Sequence, residues 1–194
     1  MVAWKRFPVP EFDRDAFKDM AYEAPPILSA AEAADLISKR DAGDASAYGG
    51  YAVMPDDALF DRFAVQGEHR HAIMCLLPDE PVHLLGRSWG WHIQRALILD
   101  SLDAGSAQVT FEWRTPRPMN TRLGPEGGVT TNGGVAYVMT GNRYADHWIA
   151  NRSIIQNDWE PGDGKSGFRL LAATDDELDD FHDCYLAFAW PDRG

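Results

Sequence analysis

Long apolar runs are missing from this 194-residue chain. No stretch approaches the roughly 20 consecutive apolar residues of a membrane helix, so no membrane partner is expected. The opening MVAWKRFPVPEF has Lys5 and Arg6 but no apolar run behind them, which argues against a secretory leader. Cysteine is scarce. Cys75 (in IMCLL) and Cys184 (in HDCYL) both stand among apolar residues, so buried free thiols are expected rather than a disulfide framework. That usage fits a reducing, cytoplasmic setting, in which the Asn151-Arg152-Ser153 sequon has no consequence. Positive charge is also short: 18 Lys and Arg face 30 Asp and Glu, for a net charge of −12. Nucleic acid is therefore not an expected partner, since unspecific binding to polyanions needs a positive surface. Internal repeats and low-complexity segments are absent as well.

What is present fits a globular chain. The hydrophobic share is 45% and the charged share 25%, values that support a single domain over residues 1–194 with a real core. The front, about 11–67, reads as helical. FDRDAFKDMAYEA starts at a plausible Asp13 cap and stops at Pro25-Pro26. SAAEAADLISKRDAG is a stronger case. Ser29 and Glu32 have the capping-box spacing, Leu36 and Ile37 share a face, Lys39 and Arg40 suit the C-terminal dipole, and Gly43 ends the helix. PDDALFDRFAVQG predicts a third short helix, with Pro55 in its first turn.

From about 70 to 173 the pattern becomes that of a sheet. HAIMCLL and PVHLLGR predict two strands divided by a Pro-Asp-Glu-Pro turn. Residues 88–103 fit either a helix or a strand, and the Ser88 and Gly105 punctuation favours the helix. AQVTFEWR alternates and predicts a strand. Thr115 to Gly134 is rich in Pro and Gly and predicts a long loop. GVAYVMTGNRYADHWIANRSII predicts a hairpin turned at Gly141-Asn142, and GFRLLAA a further strand. The end, about 175–190, predicts a helix: Thr174 and Glu177 repeat the capping-box spacing, and Leu178, Phe181 and Tyr185 form one stripe. The sum is an α+β fold: an antiparallel sheet with helices packed on it, a helical N-terminal region and a C-terminal helix.

Chemistry concentrates in a few places. His69 and His71 stand two apart, so on a strand they point to one side, and His83 on the neighbouring strand would complete a three-histidine site for a divalent transition metal. Metal-binding jelly-roll barrels that begin with His-x-His place a Glu a few residues on in the same strand. Here Met74, Cys75 and Leu76 occupy those positions. Gly164-Lys165-Ser166 ends like a P-loop, but Trp159 stands where the first glycine belongs and a strand follows. The His182-Asp183 pair lacks the other ligands of a metal phosphohydrolase.

RYADHW puts Tyr144, Asp146 and Trp148 on one face of the predicted hairpin and His147 on the other. If the sheet curls over a pocket, Tyr144 and Asp146, with His92 or His147, form an acid–base set among aromatic walls that raise a carboxyl pKa. Seven tryptophans supply such walls, or simply an aromatic-rich core. Arg114, Arg117 and Arg122 form a basic cluster over the long loop, suited to an anionic ligand or to the acidic final helix.

Two functions remain open. One is a small enzyme or ligand-binding domain with an aromatic-lined pocket, acting on a small molecule with or without a divalent metal. The other is a non-catalytic interaction module that binds a protein partner through the acids of its C-terminal helix (Asp175, Asp176, Asp179, Asp180 and Asp183) and exposed tryptophans.

Overall fold

The computed structural model describes residues 27–118, 121–125, 128–156, 167–174 and 183–190. Among them are two α-helices, α1 (Ala30–Asp41) and α2 (Asp57–Arg62). Twelve strands make up one sheet: β1 (Ile27–Leu28), β2 (Gly49–Val53), β3 (Val65–Gln66), β4 (Ala72–Ser88), β5 (Gln94–Leu99), β6 (Val109–Arg114), β7 (Thr121–Arg122), β8 (Val129–Tyr144), β9 (His147–Ala150), β10 (Arg152–Gln156), β11 (Gly167–Thr174) and β12 (Cys184–Trp190). The fold is therefore mostly β, and the expected α+β arrangement with a C-terminal helix is corrected. The predicted first helix, FDRDAFKDMAYEA, lies outside the described residues.

The main path of the sheet runs β10-β11-β12-β4-β8-β5-β6. Short strands fill the remaining edges: β2 and β7 pair with β4, and β9 pairs with β8. All pairings are antiparallel except β1–β2 and β3–β9.

The central strands are covered on both faces. Along β4, Ile73, Cys75 and Leu77 enter one core, shared with Ile98, Trp113, Val138, Leu186 and Phe188. The intervening Ala72, Met74 and Leu76 enter a second, beside Leu59, Phe60, Leu97 and Met139. Two-sided burial explains why these strands read as unbroken apolar runs instead of alternating. The same cause explains two corrections. Residues 94–99 form β5 and not a helix, and all six are buried. Cys184–Trp190 is strand β12, seven buried residues inserted between β11 and β4. A helix would present only part of such a run to the core. Of the acids assigned to that helix, Asp175, Asp176, Asp179 and Asp180 lie outside the described residues, and Asp183 is buried, accepting from Thr174 Oγ1 at 3.1 Å.

The Pro-Asp-Glu-Pro segment is a bulge, not a turn. Leu77 pairs with Gly134 and Pro81 with Asn132, so Pro78, Asp79 and Glu80 together face Gly133 while the chain keeps its direction. Proline donates no ladder hydrogen bond, and a bulge is one of the few places a sheet accepts it. Gly133 is required there, because a Cβ would overlap the Pro78 carbonyl.

Helix α1 secures this bulge. Its capping box is formed: Ser29 N donates to Glu32 Oε2 at 2.9 Å, and Glu32 N donates to Ser29 Oγ at 3.3 Å. Ala33, Leu36 and Ile37 pack on the second core. Arg40, one turn further along that stripe, is buried and donates from Nε to Leu77 O at 3.0 Å. It also bonds Asp41 and the bulge residue Asp79.

The other long strand, β8, overturns two further expectations. It begins at Val129, inside the predicted loop, and runs through Gly141-Asn142 to Tyr144, so the hairpin turns at Ala145-Asp146. Ala145 takes a left-handed φ of 53° there. Asn142 is buried instead and donates to Asn151 Oδ1 at 2.9 Å, while Asn151 donates to Gln94 Oε1 at 2.7 Å. Three buried amides thus satisfy one another across β5, β8 and the residue after β9. Both cysteines are free and buried in the first core, as expected.

Replacing Arg40 by Met should cost about 2–4 kcal/mol, because the Leu77 carbonyl loses its buried donor. Replacing Asp79 by Asn should cost less than about 1 kcal/mol, since that carboxylate is 78% exposed. Urea unfolding midpoints of the two variants test this. Equal losses would show that Arg40 does not act through the carbonyl.

Candidate functional site

The three histidines proposed as metal ligands do not converge. His71 stands just before β4 and His83 lies well along the same strand, past the bulge and not on a neighbouring strand, on the order of 30 Å away at the usual rise per residue. His83 Nδ1 lies 3.4 Å from Oγ1 of Thr130, its cross-strand partner. His69 is exposed in the segment before β4. His71 turns inward, with Nε2 3.1 Å from Ser153 O and 3.4 Å from Ser153 N. Among the described residues, no group of three His, Cys, Asp or Glu side chains is placed to hold a metal ion.

The acid–base candidates gather in a different combination from the expected one. With the turn at Ala145-Asp146, Tyr144 pairs with His147 and Arg143 with Trp148. Directly paired residues share a face, so Tyr144 sits with His147 and not with Asp146. His92 joins them, its ring edge-on to that of Tyr144 at 6.0 Å. All of this lies at the surface: Tyr144 is 65% exposed. The Asp146 side chain is almost wholly in solvent, 3.9 Å from Arg143. No aromatic walls enclose that carboxylate. Trp91, 70% exposed, stands in the loop just before His92.

A more developed site lies along β6, which pairs only with β5 among the described residues. An open cleft of about 430 Å³ runs between β6 and the segment around β7. Arg114, Arg122 and Glu112 line it, with Gly124 and the buried Trp113 beneath. Gly124 has φ 93°, and a Cβ there would come within 2.6 Å of the Trp113 ring, so only glycine lets this backbone lie against the indole. Arg122 pairs directly with Arg87 of β4, and like charges set opposite each other repel. The cleft therefore concentrates positive charge on a protein whose net charge is −12.

Glu112 offsets one of these charges but is shared between two arginines. Arg95 Nε donates to its Oε1 at 3.0 Å and Arg114 Nε at 2.7 Å. Burial pushes the Glu112 carboxyl up, but the Arg114 hydrogen bond and the charges of Arg95 and Arg114 outweigh it and hold it below the usual range. Arg95 is committed to structure, with Nη1 donating to Phe63 O at 2.8 Å. The Trp148 ring sits beneath both guanidinium groups, 5.2 Å from Arg95 and 5.3 Å from Arg114. Arg114, 54% exposed, remains open to solvent.

The basic cluster on Arg114, Arg117 and Arg122 was legible in sequence. Its aromatic floor was not, because Trp113 is set by the alternation of β6 and covered by a segment that looks like plain loop. The tryptophans divide between roles. Trp113 and Trp190 are core, Trp89 meets Tyr185 edge-on at 5.2 Å, Trp91 is exposed, and Trp4 and Trp159 lie outside the described residues.

His71 generates a pH effect. Burial lowers its pKa from the ordinary 6.5, and the hydrogen bonds to Ser153 and His69 only partly oppose this. The unfolded chain therefore takes up the proton first as pH falls. Stability is complete above about 6.5 and declines as pH drops toward the folded value. Denaturant midpoints between pH 8 and pH 5 should fall more steeply for the wild type than for His71→Gln. Parallel curves would remove His71 as the cause.

No family model matches the chain, and no curated protein does. Solved bacterial lectins show a limited structural similarity. The C-terminal domain of the BC2L-C lectin from Burkholderia cenocepacia has a TM-score of 0.47 at 16% identity, over 59% of this chain and 90% of that one. The high-affinity mannose-binding lectin of Ralstonia solanacearum has a TM-score of 0.46 at 13% identity, over 58% and 89%. The Chromobacterium violaceum lectin CV2L, solved with α-methyl-fucoside, has a TM-score of 0.47 at 13% identity, over 61% and 95%. Likeness at this level does not transfer a binding site to this chain.

Proposed function

We propose that this chain is a ligand-binding β-domain whose site is the cleft along β6, and that it takes an anionic small molecule. The observation that supports this is the pairing of two solvent-facing guanidinium groups, Arg114 and Arg122, across one open cleft of an otherwise acidic protein. Guanidinium binds carboxylate and phosphate in forked geometry, and the buried Trp113 beneath the cleft holds the two walls in place. Glu112 orients Arg114 from behind, so the guanidinium is held in place before a ligand arrives.

A second reading keeps the proton-transfer chemistry. It rests on His92, Tyr144 and His147, which share one surface at the end of the β8–β9 hairpin. Asp146 takes part only from the turn itself. Any turnover found for this protein should disappear in a folded His92→Gln/Tyr144→Phe double variant. Turnover that survives the double substitution removes this reading.

For the cleft, tryptophan emission can follow titration with glucuronate. Glucose, mannose and α-methyl fucoside serve as neutral comparators. Glucuronate should bind at least about tenfold more tightly than glucose, and Arg114→Gln and Arg122→Gln should each weaken it by about tenfold. Added salt should weaken it further, because both cations face solvent. Equal binding of glucose, or unchanged binding in the double Gln variant, would count against an anion site.

A further inference from the structure

A second cavity, of about 160 Å³ and partly open to solvent, lies at the other end of β6. Leu77, Leu84 and Phe188 line it from β4 and β12, and Ile98, Phe111 and Ala136 from β5, β6 and β8. Phe188 pairs with Leu84 and Ile98 with Phe111, and both pairs line the space, as does Gly133 opposite the β4 bulge. Protein interiors are close-packed, so an unfilled space of this size is destabilising. Its apolar walls offer water few of the two to four polar partners that a buried water needs. An engineered cavity of about 150 Å³ lined by Leu, Ile and Phe takes up benzene, and the inner wall here is of that kind.

The rim differs from the walls. Asp100, Asn132, Thr110 and Thr131 border the space. Asp100 is held in position, its Oδ1 accepting from Gln108 N at 2.7 Å and its own N–H donating to Gln108 O at 3.2 Å. An ionised carboxylate only accepts hydrogen bonds, and it repels an anion.

We infer that this cavity is a binding site for a small, uncharged, single-ring molecule with one hydrogen-bond donor, the ring among Leu84, Ile98, Phe111 and Phe188 and the donor directed at Asp100. Phenol is the simplest probe of that class. The site is separate from the β6 cleft in position and opposite to it in charge preference, so each stands without the other.

Calorimetric titration of the full chain with phenol, benzene and benzoate tests the assignment. Phenol and benzene should both bind, phenol by about tenfold more tightly, and benzoate should not bind. Asp100→Ala, which removes the acceptor, should bring phenol to the level of benzene. Ala136→Leu, which fills the space, should abolish both while leaving the unfolding temperature unchanged or higher. Nuclear Overhauser contacts from bound phenol to the Ala136 methyl and the Phe111 ring locate the ligand in the wild type, whether or not that variant folds. The inference is overturned if neither phenol nor benzene binds, if bound phenol makes its contacts elsewhere, or if binding persists in folded Ala136→Leu. A wild type that binds benzoate as well as phenol overturns the role given to Asp100.

Discussion

Strand β4 cannot leave its place, because both of its faces and both of its edges are occupied. Its first half is paired with β2 and β8, and its second half with β12 and β8, with β7 at the end. One register therefore sets the position of nearly every other strand. That register is not regular: three residues of β4 face Gly133 at the bulge, and Arg40 of α1 is hydrogen-bonded to the carbonyl just before it. A one-residue slip would send Ile73, Cys75 and Leu77 into the wrong core. Glycine at 133, proline at 78 and 81, and a buried guanidinium at 40 are all local answers to the same constraint.

The arginines divide according to how far water reaches them. Arg40 and Arg95 are buried and donate to backbone carbonyls, Leu77 O beside the bulge and Phe63 O at the end of α2. Arg114 and Arg122 face solvent along β6. Glu112 joins the two groups, since it ties a structural cation and an exposed one to a single carboxylate. Trp148 does the same from the other side with its ring face. The cleft is thus supported by the packing of the sheet beneath it. A positive charge remains there because one carboxylate, Glu112, is shared by Arg95 and Arg114 while Arg122 stands across the cleft.

Local signals were legible where one interaction decides them. The Ser29 and Glu32 capping box, the alternation of Val109–Arg114 and the apolar surroundings of both cysteines all appear in the structure as read. The Arg114, Arg117 and Arg122 cluster also pointed to the right edge of the sheet. Failures came where the same letters serve two geometries. Pro-Asp-Glu-Pro is a turn signal, yet here the strand continues because both flanks pair with β8. Gly141-Asn142 is a turn signal as well, but Asn142 has buried amide partners and the reversal comes three residues later. That shift moved Tyr144 from the face of Asp146 to the face of His147, and the expected acid–base set changed with it.

Composition and short-range pattern by themselves determined that this chain has an apolar core, an acidic surface, one well-capped helix and an arginine-rich edge. Those properties follow from side-chain chemistry and from contacts within four residues. Tertiary structure alone decided that CYLAFAW and QRALIL are strands, that His71 and His83 are far apart, and that Trp113 underlies the arginines. An apolar run buried on every side carries no period to read. Its conformation is chosen by which neighbours lack hydrogen-bond partners, and those neighbours lie dozens of residues away.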